Sequence, residues 1–277
     1  IFCMEQKKER SRSVCRPRQE ELDDAALLSR IISLLRFPLI VGIVCIHAGV
    51  PESVVSAVGS HAVYDFVHEW SAQVVARVAV PLFFLISGYL FFLNVERLTL
   101  AAYGHKLWKR VRTLFVPYVW WNVAAVLVAW LFHTYVFHLR SAVPHWDLSH
   151  WLSVWWDYRG GMPYNYPLWY IRNLMLMAVA APLQWWLLKR LPRPVLLLTG
   201  VWWLLSGGNA ATTVFFFMLG AWLGIGKRSF GWALWRLARP AGLLYVMWSV
   251  VEAGWGREFM PSVFHQLGIV LGAVCVM

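Results

Sequence analysis

Residues 34–50 read LLRFPLIVGIVCIHAGV, and residues 77–92 read RVAVPLFFLISGYLFF. Both are apolar runs interrupted by ionisable side chains, Arg36 and His47 in the first and Arg77 in the second. A helix crosses a hydrocarbon core of about 30 Å with about 17–25 residues, and both stretches sit in runs of that length. Working outward, the spans are expected at Ile31–Val50, Ala72–Leu93, Val111–Phe137 and Leu168–Leu188. Shorter apolar runs follow at Val195–Leu205, Ala211–Ile225, Ala241–Val251 and Val263–Met277. The expected fold class is all-α, a polytopic integral membrane helical bundle of about eight transmembrane helices.

Composition points the same way. Hydrophobic residues make up 60% of the 277, charged residues only 14%, and 19 are tryptophan. Soluble domains carry roughly 45–50% apolar and about 25% charged residues. Such a surplus of apolar surface excludes a disordered chain and a single soluble core. The four cysteines, Cys3, Cys15, Cys45 and Cys275, form no CxxC pair, so neither a disulfide framework nor a zinc site follows. No metal is expected.

The net charge of +11 acquires a meaning once the basic residues are sorted by loop. With the N-terminus in the cytoplasm, 20 of the 25 Lys and Arg fall on inner segments, while the 14 acids divide evenly. Inner segments then carry a net +13 and outer segments −2. This is the positive-inside pattern, reinforced by attraction to anionic lipid headgroups. The charge therefore describes topology and contact with membrane lipids, and no nucleic-acid partner is expected. Residues 1–26 read as a flexible, charged cytoplasmic tail; residues 27–277 form the transmembrane domain. Because the chain stops within an apolar run, it is expected to lack C-terminal spans.

Ionisable groups inside spans mark functional candidates, since each costs at least about 2.5–3.5 kcal/mol there. Arg36 and His47 are 11 residues apart, about 16.5 Å along a helix and within about 20° of the same face. Pro38 between them is expected to kink the helix or mark its start. A snorkelling anchor and an interfacial histidine would also fit this spacing. Arg77 lies on the outer side, where the orientation rule disfavours cations, so anchoring explains it less well. Ser87, Gly88 and Tyr89 lie deeper in the same helix; the Ser–Gly pair suits close helix packing. Arg172 and Asn173 open the fourth span in YPLWYIRNLMLM. Arg77, Arg172 and His47 share one depth, which suggests a polar cavity.

The outer loop from His138 to Tyr166 holds Trp151, Trp155, Trp156, Asp157 and Tyr164. Rings beside carboxylates suit a sugar; an interfacial aromatic belt is the plainer reading. Its histidines, His138, His145 and His150, have spacings that fit no common metal site.

These motifs together resemble the membrane acyltransferase-3 family. The resemblance rests on Arg36-x10-His47, on RVAVPLFFLISGYLF (77–91), on KLWKRVRTLFVPYVWW (106–121) and on PLWYIRNLM (167–175). FFFMLGAWLG, residues 215–224, is a weaker match. It covers roughly residues 27–277; family members carry about ten spans, so about two are expected to be missing. The resemblance implies a bacterial inner-membrane enzyme, N-terminus cytoplasmic, that transfers an acyl group, usually acetyl from acetyl-CoA, to a hydroxyl of a sugar or envelope glycan. It assigns the family's histidine to His47 and its arginine to Arg36.

The residues make chemical sense beside that assignment. A neutral imidazole can take the proton of an attacking hydroxyl. Arg77 or Arg172, with Asn173, Ser87 and Tyr89 nearby in sequence, are candidates for binding substrate or the oxyanion. Arg36 suits a donor phosphate. The alternative is a transporter or flippase of a lipid-linked sugar or small anionic solute, although no internal repeat supports it.

Overall fold

A computed structural model of the chain describes residues 30–47, 62–95, 97–136, 147–158, 160–226, 231–255 and 262–276. The expected tail, residues 1–26, lies outside them, as do His138 and His145. All regular structure among the described residues is helical. Three helices are long and apolar enough to cross a bilayer: α1 (Arg30–His47), α2 (Phe66–Phe92) and α3 (Leu100–Leu131). A fourth is the pair α5 (Trp169–Val179) and α6 (Ala181–Arg190), if one bent span is counted. The remaining helices are α4 (Leu148–Trp155), α7 (Pro192–Ser206), α8 (Asn209–Ile225), α9 (Gly231–Trp255) and α10 (Ser262–Val276).

Local chemistry explains where these helices differ from the apolar runs. α1 is already helical from Arg30, so Pro38 does not mark its start. α3 begins 11 residues before the run at Val111, because the Thr99 hydroxyl accepts the Ala102 N–H at 3.3 Å and caps it. At 1.5 Å per residue its 32 residues extend about 48 Å, more than a hydrocarbon core. Its first turns carry His105, Lys106, Lys109 and Arg110 and stay amphipathic. α5 and α6 meet at 63° beside Pro182, which has no N–H to continue the helix. The Gln184 amide donates to the Met177 carbonyl at 3.1 Å, taking up a backbone group near the break.

The chain divides into two compact units, residues 1–86 with 228–277, and residues 87–227. The first packs α1, the N-terminal part of α2, α9 and α10. Its core joins Leu39, Val78, Ala79, Leu82, Tyr245 and Ala273. Gly42 of α1 faces Ala76 and Ala79 of α2, where an added Cβ would sit at ordinary contact distance, 3.6 Å. Leu34, Phe37 and Ile40 of α1 are exposed, as side chains facing hydrocarbon would be.

In the second unit, Gly207 with φ +60° ends α7 in the left-handed conformation and turns the chain into α8. Trp203 of α7 stacks on Phe215 of α8, and its indole N–H donates to Thr212 at 3.1 Å. Gly88 of α2 lies against the backbone of Phe217 and Ala221, with no room for a Cβ, and a Cβ on Gly224 would lie 2.6 Å from the Tyr89 carbonyl. The Ser–Gly pair is thus a close helix crossing, the packing role expected of it.

Candidate functional site

In the first unit, the helix carrying Arg77 is locally irregular. Residues Glu69–Val75 form a widened π-helical stretch, followed at once by a tight 3-10 turn, Ala76–Val78. Such insertions occur often at functional sites. Arg77 is half-buried and donates from Nη2 to Gln73 Oε1 at 2.6 Å. Its guanidinium is within electrostatic range of the His47 imidazole, which ends α1. The structure therefore brings together two of the sequence candidates. Arg36 stands on the same helix as His47, exposed, 11 residues earlier.

A second group in this unit escaped the sequence reading. Glu252 of α9, 1% exposed, meets Nδ1 of His265 of α10 through Oε1. One turn earlier Ser249 accepts the indole N–H of Trp70 at 3.0 Å, joining α9 to α2. The signal was present. The span drawn as Ala241–Val251 stops one residue short of Glu252, and His265 lies inside the last apolar run.

Arg172 and Asn173 lie in the other unit, on α5. Arg172 is half-buried, and its Nη1 donates to the carbonyls of Trp156 and of Gly161, the latter at 2.8 Å. Its Nε and Nη2 reach Asn173 Oδ1 at 3.4 and 3.3 Å, and the guanidinium lies 5.2 Å from the Trp156 ring centroid. Asn173 is buried and donates to Thr213 Oγ1 at 3.1 Å. Arg172 is thus engaged with the segment that joins α4 to α5.

Two further side chains fasten that loop. Tyr118 donates to the Trp155 carbonyl, and fully buried Asn122 accepts the Asn165 N–H at 3.2 Å. Asp157 accepts the Gly161 N–H at 2.6 Å in a turn whose glycines, 160 and 161, have positive φ. Tyr164 packs edge-on against Tyr158 at 4.8 Å. Trp156 and Asp157 are exposed, Trp151 and Trp155 half-buried. Ser87 hydrogen-bonds Tyr170, and Tyr89 is buried. Lys106, which donates to the Phe91 carbonyl, and Arg110 both stand over the Phe91 ring, a basic and aromatic cluster at the start of α3.

A family model described as an acyltransferase domain matches residues 30–277, and the chain belongs to that acyltransferase-3 family. The chain is similar to the succinoglycan biosynthesis protein ExoH of Rhizobium meliloti (strain 1021), 30% identical over 182 residues. The matched segment is 62% of this chain and 46% of that relative, so the chain spans about half the relative's length. No solved structure matches.

Proposed function

We propose that the protein is a multi-pass O-acyltransferase of the bacterial inner membrane, N-terminus cytoplasmic, moving an acyl group, in the first instance acetyl from acetyl-CoA, to a hydroxyl of an envelope polysaccharide. The observation that carries this reading is the convergence of His47 and Arg77 in one unit of an acyltransferase-family chain. A hydroxyl is a poor nucleophile, and His47 supplies the base it needs. Arg77, held by Gln73, is aimed to compensate charge on the carbonyl oxygen as the tetrahedral centre forms. Arg36, toward the other end of α1, offers a guanidinium for the phosphates of the donor. The relative's printed role in succinoglycan biosynthesis favours a glycan acceptor.

Donor and acceptor are on opposite faces of the membrane, so two routes exist. Either the thioester reaches His47 and the hydroxyl attacks it directly, or His47 carries the acyl group as a transient acyl-imidazole. Membranes containing the full-length protein are to be given radiolabelled acetyl-CoA and envelope glycan. Label appearing in the glycan as ester is the expected result. The bent α5–α6 helix favours a second reading, a sugar transporter. Glycan crossing the membrane without gaining mass would establish that reading instead.

A further inference from the structure

The pair formed by Glu252 and His265 has no part in the reaction so far. Glu252 stands in the last turn of α9 and His265 in the first turn of α10. The carboxylate is 1% exposed, yet only Oε1 is engaged; Oε2 has no hydrogen-bond partner among the described residues. The Trp248 indole N–H and the Tyr245 hydroxyl, on the same face of α9, likewise have none. Trp248 Nε1 and Glu252 Oε2 converge over Gly268, where an added Cβ would lie 3.0 and 3.1 Å from them. A buried carboxylate in an apolar helix, half satisfied and sharing its helix face with two unpartnered donors, is expensive to keep for structure alone.

Its contact with His265 defines a chemistry. With Nδ1 donating to the carboxylate, the ring presents its lone pair at Nε2. The carboxylate fixes the ring and compensates the charge formed when Nε2 takes a proton, as in a carboxylate–histidine–nucleophile triad. The His265 side chain is 14% exposed, so the imidazole is not sealed in. The pair also hangs on the same segment of α2 as the first site. Trp70, which bonds Ser249 one turn before Glu252, is seven residues before Arg77. His47 ends α1 within electrostatic range of that arginine.

We propose that His265, positioned by Glu252, is the base for the second half of acyl transfer; this rests on the acyltransferase reading and follows its acyl-imidazole route. In the first half, a His47 nitrogen attacks the thioester, the C–S bond breaks, and the ring's N–H proton leaves with the thiolate as free thiol. In the second half, the acceptor hydroxyl attacks the acyl carbon and the C–N bond to His47 breaks. His265 Nε2 takes the hydroxyl proton and returns it, directly or through water, to the nitrogen His47 gives up. One ester forms, one thiol is released, and both histidines end neutral.

The test separates the halves, using radiolabelled acetyl-CoA on membranes holding full-length protein, first without glycan and then with it. His265→Gln keeps a donor for Glu252 but cannot take up a proton. It is expected to accumulate and acquire label normally while passing it to glycan about 100-fold more slowly, the low end of what a lost general base costs. Glu252→Gln, the second variant, slows the same step about 10-fold, and imidazole partly restores His265→Ala but not His265→Ala with Glu252→Gln. Wild-type transfer by His265→Gln overturns the proposal. So does a parallel loss of label uptake and transfer in both single variants, or transfer by the native protein with no labelled intermediate. A native protein that transfers nothing to any glycan overturns the acyltransferase reading itself.

Discussion

The two units handle their polar side chains differently. In residues 87–227, Arg172 is engaged with two loop carbonyls, an amide oxygen and a ring, Asn173 bonds Thr213, and Asn122 closes the loop onto α3. Among the described residues the unpartnered atoms there, Gln184 Oε1 and Trp185 Nε1, sit just after the bend at Pro182. In the other unit, Glu252 is half satisfied, and the Tyr245 hydroxyl, the Trp248 indole and His68 Nε2 have no partner among the described residues. Buried polar groups are nearly always paired, so a cluster that is not calls for a partner from outside it, whether water, substrate or a proton. A satisfied network builds a scaffold; an unsatisfied one is free to react. On the proposed reading, chemistry belongs to the first unit and architecture to the second.

The contrast is most severely tested at His47. His47→Ala is expected to lower acyl transfer by at least about 100-fold, roughly 2.7 kcal/mol of transition-state stabilisation. The protein should still accumulate, because His47 is exposed at a helix end. Transfer assays on membranes matched for protein by immunoblot make the comparison, and an active variant would remove the first unit's claim to the chemistry.

The second unit should answer to stability instead. Gly88→Val forces a branched side chain into the backbone of Phe217 and Ala221 and is expected to destabilise by about 1–3 kcal/mol. Asn122→Ala strips a partner from the Asn165 N–H and from the Tyr118 carbonyl, at about 1–3 kcal/mol. Both appear as lower thermal midpoints in detergent, with transfer per folded molecule preserved. A variant that keeps its midpoint but loses transfer would place chemistry in the second unit after all.

Much of this was legible in the residues. Helical class, the apolar α1 and α2 helices and the close packing at Gly88 follow from apolar length and small-residue spacing; the shared depth of Arg77, Arg172 and His47 suggests a polar cavity, and the first and last of these lie within electrostatic range of each other. Helix α3 begins before its apolar run because a hydroxyl cap, not apolarity, starts it. Glu252 and His265 are inconspicuous in the sequence for a related reason. A carboxylate one residue beyond a run looks like its terminus, and only the packing of α9 against α10 reveals that it is buried. Arg172 shows what the residues alone leave open. An intramembrane arginine signals a need for anions or carbonyls, and here the chain's own loop provides the carbonyls.

The smallest expected effect probes that loop. Trp156 lends its carbonyl and its ring to Arg172, and about half of its surface remains exposed, 54%. Replacing the indole by an aliphatic side chain keeps the carbonyl and removes the ring, so Trp156→Leu isolates the cation–π contribution, about 0.5–1 kcal/mol at a partly exposed site. If the second unit is scaffold, the thermal midpoint falls slightly and KM for the glycan is unchanged, because the ring's task is to hold Arg172. If the exposed face stacks on a sugar, KM rises several-fold with little change in kcat, since a contact made equally in ground and transition state alters binding alone. The first result is expected, because Arg172 occupies the ring. The second would mean that the same tryptophan both fastens the loop and meets the acceptor, and the division between the units would then separate binding from chemistry.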